Sequence, residues 1–309
     1  MENLDKSLFQ RIRGQIMRGE PASLTVEAEG ECRVRRFLPR QRLIILGGGH
    51  VAAALCAFAS RLDFSVTVCD DRPAFANSLR FPTADRVICD SFARAVRGLA
   101  LRETDYVCVM TRGHRWDREC LDAVFAGPQP CYLGMLGSHR RSAGLKQALL
   151  ADGAAAERVS ALHAPIGLPI GAVTPEEIAV SVCAELIGHR HAAAEKTGAG
   201  VLDQTNADQS VLDVLAEPDR PCALLLVLSV SGSAPAKSGA MMAVDRLGAT
   251  AGTIGGGCGE AAAMARARRL IGTGSRTVIS VDLTNEEAAQ QGLACGGTMK
   301  VFLADVTTE

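Results

Sequence analysis

The sequence predicts an α/β protein, a Rossmann-type parallel-sheet domain followed by a smaller α+β domain. Three observations carry that expectation. From Arg42 onward, short apolar runs alternate with helical stretches, the rhythm of strands buried on both faces and covered by helices. A glycine-rich turn, Gly47-x-Gly49-x-x-Ala52, stands between the first of these runs and an apolar helix. Beyond residue 222 the rhythm changes to closely spaced strands with one strong helix among them.

With 309 residues the chain is long enough for two cores, since a single core stops growing at around 250–300 residues. Apolar residues at 48% and charged residues at 22% are ordinary for a globular protein. A formal net charge of −1 gives no electrostatic case for nucleic acid or an anionic membrane as the main partner. The amino-terminal stretch is charged and amphipathic, without a signal-peptide core, and no apolar run demands a membrane span. Eleven cysteines without an export signal point to free thiols in a reducing cytoplasm. No Cys-x-x-Cys pair occurs, which argues against structural zinc. Cys56, Cys69, Cys89, Cys108, Cys131 and Cys183 lie in apolar runs and read as small hydrophobes.

Residues 1–40 read as an amphipathic helix, with Leu4, Leu8, Ile12 and Ile16 at helical spacing, and a hairpin turning at Glu29-Gly30-Glu31. Residues 41–190 read as the Rossmann-type dinucleotide-binding domain. Its strands are expected at Leu43–Leu46, Ser65–Cys69, Arg86–Cys89, Tyr106–Met110 and Cys131–Leu136. Its last helix opens at Thr174-Pro175-Glu176-Glu177, a capping box with proline at the first helical position. Residues 191–221 form a connector with one short helix near Ser210–Ala216. Residues 222–309 form the smaller domain, with strands at Ala223–Val230, Ala240–Val244, Thr250–Ile254, Thr277–Leu283 and Thr298–Ala304 and a helix over Glu260–Ile271.

The first candidate site is the turn Gly47-Gly48-Gly49-His50. Glycines there permit a tight turn, and the following helix offers free N–H groups to a pyrophosphate. Asp70 ends the second strand, where the dinucleotide fingerprint wants a carboxylate for a ribose hydroxyl. Arg72 beside it would tolerate a ribose phosphate, so NAD and NADP stay unresolved. His50, His114 and His139 each follow a predicted strand, at the sheet edge where open α/β folds bind ligands. Imidazoles there suit a metal, and Arg112, Arg140 and Arg141 suit an oxyanion.

The second candidate site rests on two glycine-flanked cysteines. Cys258, in Gly255-Gly256-Gly257-Cys258-Gly259-Glu260, falls at a predicted helix N-terminus, where the dipole and unsatisfied N–H groups favour thiolate. Cys295 lies in Ala294-Cys295-Gly296-Gly297, with glycines that leave the sulfur and backbone open to a bulky ligand. A loop holding Ser233 and Lys237 supplies hydroxyls, a cation and amides suited to an anion, without the order of a Walker loop. Glu260 is either a base or ligand, or an acid compensating the helix dipole.

Gly-Ser-Ala-Pro at 232–235, Gly-Gly-Cys-x-Glu at 256–260 and Gly-Leu-Ala-Cys-Gly-Gly at 292–297 resemble the XdhC/CoxI family, accessory proteins of xanthine dehydrogenase and carbon monoxide dehydrogenase. So do Gly-Gly-His-Val at 48–51, Cys-Asp-Asp-Arg-Pro at 69–73, Gly-His-x-x-Asp at 113–117 and the string from Ile166 to Ala179. The resemblance covers nearly all of residues 38–309. It implies a cofactor chaperone for molybdenum hydroxylases, not an enzyme of high turnover. Such a protein binds molybdenum cofactor (molybdopterin) as cargo, assists its sulfuration with a cysteine desulfurase, and delivers it to the apoenzyme, here as a homodimer. Cys258 and Cys295 carry over as the thiols facing molybdenum, with Ser233, Lys237 and Glu260 as neighbours. The family usually places the cysteine-bearing domain first; here the order is reversed, behind an added N-terminal segment. Gly259 stands where a larger apolar residue is more common, and His139 where a basic one is. The alternative is an NAD(P)-dependent oxidoreductase using the Gly47–Asp70 fingerprint.

Overall fold

The computed structural model describes residues 3–192, 201–202, 209–232, 236–282 and 297–307, the side chain of Cys258 apart. The chain forms two compact units, residues 40–195 and a second made of residues 1–39 together with 196–309.

The second unit begins with α1 (Lys6–Met17) and a hairpin of β1 (Ala22–Ala28) and β2 (Glu31–Phe37). Asp5 caps α1 by accepting from the Leu8 amide at 3.0 Å. Strict alternation along β1 turns Ala22, Leu24, Val26 and Ala28 inward, as a strand with one wet face must. These residues, with Leu8, Phe9 and Ile12 of α1, join a core that also holds Leu212, Leu224 and Phe302. Lys6 is buried and donates to the carbonyls of Val214 and Arg220, at 3.3 and 2.8 Å.

The 40–195 unit carries β3 (Gln41–Leu46), α2 (His50–Arg61), β4 (Phe64–Asp70), β5 (Arg86–Cys89), α3 (Phe92–Leu99), β6 (Tyr106–Val109), α4 (His114–Phe125), β7 (Tyr132–Met135), α5 (His139–Ala151), α6 (Ala156–Ser160), β8 (Leu162–His163) and α7 (Pro175–Ala192). Its six strands run parallel in the order β5-β4-β3-β6-β7-β8. That is a Rossmann-type sheet whose order reverses between β3 and β6, the switch point where such folds bind ligands. Leu43 and Ile45 face α2 and α7, whereas Ile44 and Leu46 face α3 and α4, so both sheet faces are covered. Between β4 and β5 the crossover has no helix; residues 71–85 are irregular. The capping box of α7 forms: Glu177 accepts from the Thr174 amide at 3.0 Å, and Thr174 Oγ1 accepts from the Glu177 amide at 3.2 Å.

The rest of the second unit is α8 (Gln209–Ala216), β9 (Cys222–Gly232), β10 (Met241–Asp245), β11 (Thr250–Gly252), α9 (Gly257–Leu270), β12 (Arg276–Asp282) and β13 (Gly297–Val306). The five strands form an antiparallel sheet in the order β11-β10-β9-β13-β12. Helix α9 packs on one face through Ala263 and Ala267, while α1, α8 and the hairpin contribute to the core on the other. The result is a smaller α+β unit around an antiparallel sheet.

The cysteine expectation needs one correction. Cys56, Cys69, Cys108 and Cys183 are buried, but Cys89 and Cys131 are exposed. Both lie at strand ends, where the apolar run stops being covered. The Cys131 thiol nonetheless turns inward and donates to the Asp105 carbonyl at 3.2 Å. Burial pushes the Cys69 thiol up to about 12 and Cys183 up to about 11, which keeps both protonated and unreactive.

Candidate functional sites

At the carboxyl edge of the parallel sheet, α2, α4 and α5 begin at His50, His114 and His139 respectively. Their preceding strands β3, β6 and β7 are neighbours, so the histidines sit along one edge, and all three are exposed. Thr111, Arg112 and Gly113 line the turn beyond β6. Arg112 is fixed by a two-point pair with Asp71, at 2.5 and 2.9 Å, with its guanidinium 4.1 Å from the Trp116 ring centre. The Arg112 bond holds the Asp71 carboxyl below the usual carboxylate range. Arg141 pairs with Asp117, which is 0% exposed and also accepts from Thr111 Oγ1. Of these arginines Arg140 is exposed and makes no ion pair among the described residues. No group of three metal-capable side chains gathers among the described residues.

The glycine turn is pressed from two sides. A methyl on Gly47 would lie 2.2 Å from the Met110 carbonyl oxygen, and Gly47 has φ of +121°. A methyl on Gly48 would lie 2.2 Å from the Phe75 carbonyl oxygen. Among the described residues nothing lies within 4 Å of the same position on Gly49. Asp70, 1% exposed, accepts from the Gly48 amide at 2.7 Å and from Arg72 through its amide, Nε and Nη2. Arg80 Nε donates to the Gly48 carbonyl at 2.8 Å. Asp70 and Arg72 are thus brought to the turn, but they engage it and each other. Arg80 and Phe75 carried no periodic or motif signal; only the bonding reveals them.

A second polar cluster, not anticipated from the sequence, lies on the α7 face. Glu185 accepts from Tyr132 at 2.8 Å and from the Gly167 amide at 2.6 Å, and its other oxygen lies 2.7 Å from His163 Nδ1. Burial raises the Glu185 pKa, but the bonds from His163, Tyr132 and Gly167 outweigh it and hold the carboxyl below its usual value. The partners are 18 to 53 residues away along the chain, too far for any local pattern to disclose.

In the second unit, strand register decides which loops meet. Gly232, ending β9, pairs with Gly297, opening β13; Asp282, ending β12, pairs with Thr298. Met242, near the start of β10, pairs with Gly252, ending β11. Those strand ends therefore share one end of the sheet, and α9 starts there, a few residues after β11. Ser233, Cys295 and Gly296 lie outside the described residues, but their flanking strand ends belong to this end. Lys237 is exposed in the β9–β10 turn, and its carbonyl accepts from the Ala240 amide.

Gly255, Gly256 and Gly257 have φ of +119°, +75° and +74°, a left-handed backbone that disfavours any side chain. Among the described residues no atom lies within 4 Å of a methyl added to Gly256 or Gly257. Glu260 accepts from Thr253 Oγ1 at 2.6 Å and from the amides of Ile254 and Gly256 at 2.9 and 3.1 Å. Burial raises its pKa, but these bonds lower it further, so the carboxyl is an anion that braces the turn. The first amides of α9, from Gly257 to Gly259, follow directly on this braced turn.

Fold and sites together define a class: a Rossmann-type unit joined to an antiparallel α+β unit with a glycine-lined end. The family model described as the XdhC Rossmann domain matches residues 43–186, and that described as the XdhC and CoxI family matches residues 215–282. The chain belongs to the XdhC/CoxI family. It is 38% identical over 149 residues to a protein from Escherichia coli described as uncharacterized protein YqeB, a match covering 48% of this chain and 27% of that one. It is 35% identical over 157 residues to a protein from Bacillus subtilis described as a probable xanthine dehydrogenase subunit, covering 51% of this chain and 45% of that one. A crystal structure described as a xanthine dehydrogenase from Bacillus halodurans matches with 32% identity and a TM-score of 0.49, covering 55% of this chain and 48% of that one. The chain thus spans less than half the length of these curated relatives. Among the described residues no helix is long and apolar enough to cross a membrane.

Proposed function

We propose that this protein is an accessory and maturation factor for molybdenum hydroxylases of the xanthine dehydrogenase type. It binds molybdenum cofactor, assists its sulfuration, protects it and passes it to the apoenzyme. The observation that carries this reading is the convergence at one sheet end of the strand ends flanking Cys295, the β9–β10 turn with Lys237, and the left-handed Gly255–Gly257 turn at the start of α9. An anionic pterin phosphate fits the first amides of a helix. A thiolate at Cys258 or Cys295 fits molybdenum as a soft ligand, and as a persulfide fits sulfur delivery. Glu260, whose Oε2 accepts three bonds from its own turn, acts here by holding the glycines in place. The partners of this reading are the hydroxylase apoenzyme, a cysteine desulfurase and a second copy of the chain, in the cytoplasm.

Replacing Cys258 or Cys295 with serine should lower the activity of the client hydroxylase and the amount of molybdopterin that co-purifies, while the variants stay folded. Wild-type client activity and cofactor content in both variants would remove the thiols from the mechanism. Equilibrium binding of molybdenum cofactor against NAD(H) and NADP(H) tests the whole assignment. Nanomolar nicotinamide binding without molybdopterin binding would reverse it in favour of the oxidoreductase.

A further inference from the structure

We infer that the irregular crossover between β4 and β5 is a built-in plug of the nucleoside half of the Rossmann crevice, so that this unit excludes NAD and NADP despite carrying their fingerprint. The inference concerns the ligand specificity of the 40–195 unit and stands apart from the proposed cofactor site in the other unit.

In a dinucleotide site the acid ending the second strand receives a ribose hydroxyl, and the glycine turn lies bare so that the ligand can approach its backbone. Here the chain itself takes the acid and the Gly48 side of the turn, the nucleoside end of the site. Asp70 is 1% exposed, and donors from Gly48 and Arg72 engage both of its oxygens. The Phe75 carbonyl rests against Gly48, where a ribose would stand. Arg80 closes the same point from its own side through the Gly48 carbonyl.

The plug is built to stay. Arg72 and Arg80 place their guanidinium carbons 3.6 and 5.0 Å from the centre of the Phe75 ring, contacts favourable to both cation and ring. Asn77 donates to the carbonyls of Pro73 and Ala74 and accepts from the Arg80 amide, which fixes the turn between the two arginines. Phe81, 2% exposed, anchors the far end in the core beneath α2 and α7. A crossover helix in this position would leave the carboxyl edge clear; these residues are spent over the glycine turn instead. Of the three glycines Gly49 alone has no described residue within 4 Å of an added methyl, too little of the fingerprint to hold an adenosine.

Trp116, the chain's single tryptophan, stands in the first turn of α4, directly after the turn that lines the other side of the crevice. Energy transfer from it to reduced nicotinamide therefore reports binding in the full-length protein. The wild type should show no saturable transfer with NADH or NADPH up to about 1 mM. The double variant Arg72→Ala/Arg80→Ala removes the guanidinium donors from Asp70 and from the Gly48 carbonyl together with both cation contacts that hold the Phe75 ring, and should bind NADH at least about tenfold more tightly than the wild type. Arg80→Gln is the milder substitute if the double variant does not fold, and the same direction is expected of it. Saturable micromolar binding by the wild type would overturn the inference. So would a folded plug variant whose nicotinamide binding is no better than that of the wild type.

Discussion

The two glycine turns look alike in sequence and are used in opposite ways. Each follows a strand, precedes a helix and carries three consecutive glycines, Gly47–Gly49 in one unit and Gly255–Gly257 in the other. Around Gly47 and Gly48 the lack of a side chain lets the protein's own backbone in, at Met110 and Phe75. Around Gly256 and Gly257 no described residue comes within 4 Å of the position a methyl would take. Each turn is also held by one carboxylate, Asp70 or Glu260, that accepts from the turn's own amides. A glycine motif therefore marks where backbone can be approached closely, and only the structure says whether the visitor is a ligand or another part of the chain.

The sharpest test of that contrast is a matched pair of alanine substitutions. Gly47→Ala combines a clash with the Met110 carbonyl and a left-handed backbone, and should cost about 3 kcal/mol or more. For a unit of this size that is a fall in melting temperature of roughly 6–12 °C, read from Trp116 fluorescence, which follows the Rossmann unit. Gly257→Ala meets no atom of the described residues and carries the backbone strain, about 1–2 kcal/mol. It should leave the Trp116 transition in place while lowering molybdopterin retention. Equal losses of stability in the two variants would erase the distinction.

Next in size is the pair of carboxylates. Asp70→Ala strands the Gly48 amide and Arg72 in a closed place, at a cost of about 2–3 kcal/mol. Glu260→Ala leaves the Ile254 and Gly256 amides without their carboxylate, and should cost about 1 kcal/mol, measured by urea titration with circular dichroism. A larger loss at Glu260 than at Asp70 would mean that the second turn is the more tightly closed.

The smallest effect belongs to Glu185, whose folded pKa is depressed. Its contribution is present above the ordinary glutamate value of 4.5 and is lost as pH falls through the lower folded value. Stability followed from pH 7 downward should therefore drop more gently in Glu185→Gln than in wild type. At neutral pH that variant should lose about 1 kcal/mol. Parallel acid limbs for the two proteins would place the acid sensitivity in other carboxylates.

Regular elements were legible because their causes are local. Apolar runs located β3, β4 and β6 to within a residue or two, and Thr174 with Glu177 announced the α7 cap that the bonds then display. The plug was not legible, since residues 71–85 have neither period and are held by side-chain bonds to backbone. Strand β8, only Leu162–His163, is too short to leave a pattern. The Asp70 signal was readable as a carboxylate in the right place, but its partners Arg72 and Gly48 decide what it does. At the second site the motifs around Cys258 and Cys295 were plain, and the contribution of structure is the register that brings their flanking strand ends to one end of the sheet.

The buried Lys6 ammonium, held by carbonyls of Val214 and Arg220 more than 200 residues away, has a consequence in time. A ribosome adding about 5–20 residues per second reaches α8 roughly 10–30 seconds after it has made the β1–β2 hairpin. During that interval the entire 40–195 unit emerges and can fold, while Leu8, Phe9 and Ile12 wait with their apolar face uncovered. Residues synthesised ahead of the 40–195 unit thus complete their core only after that unit has been made.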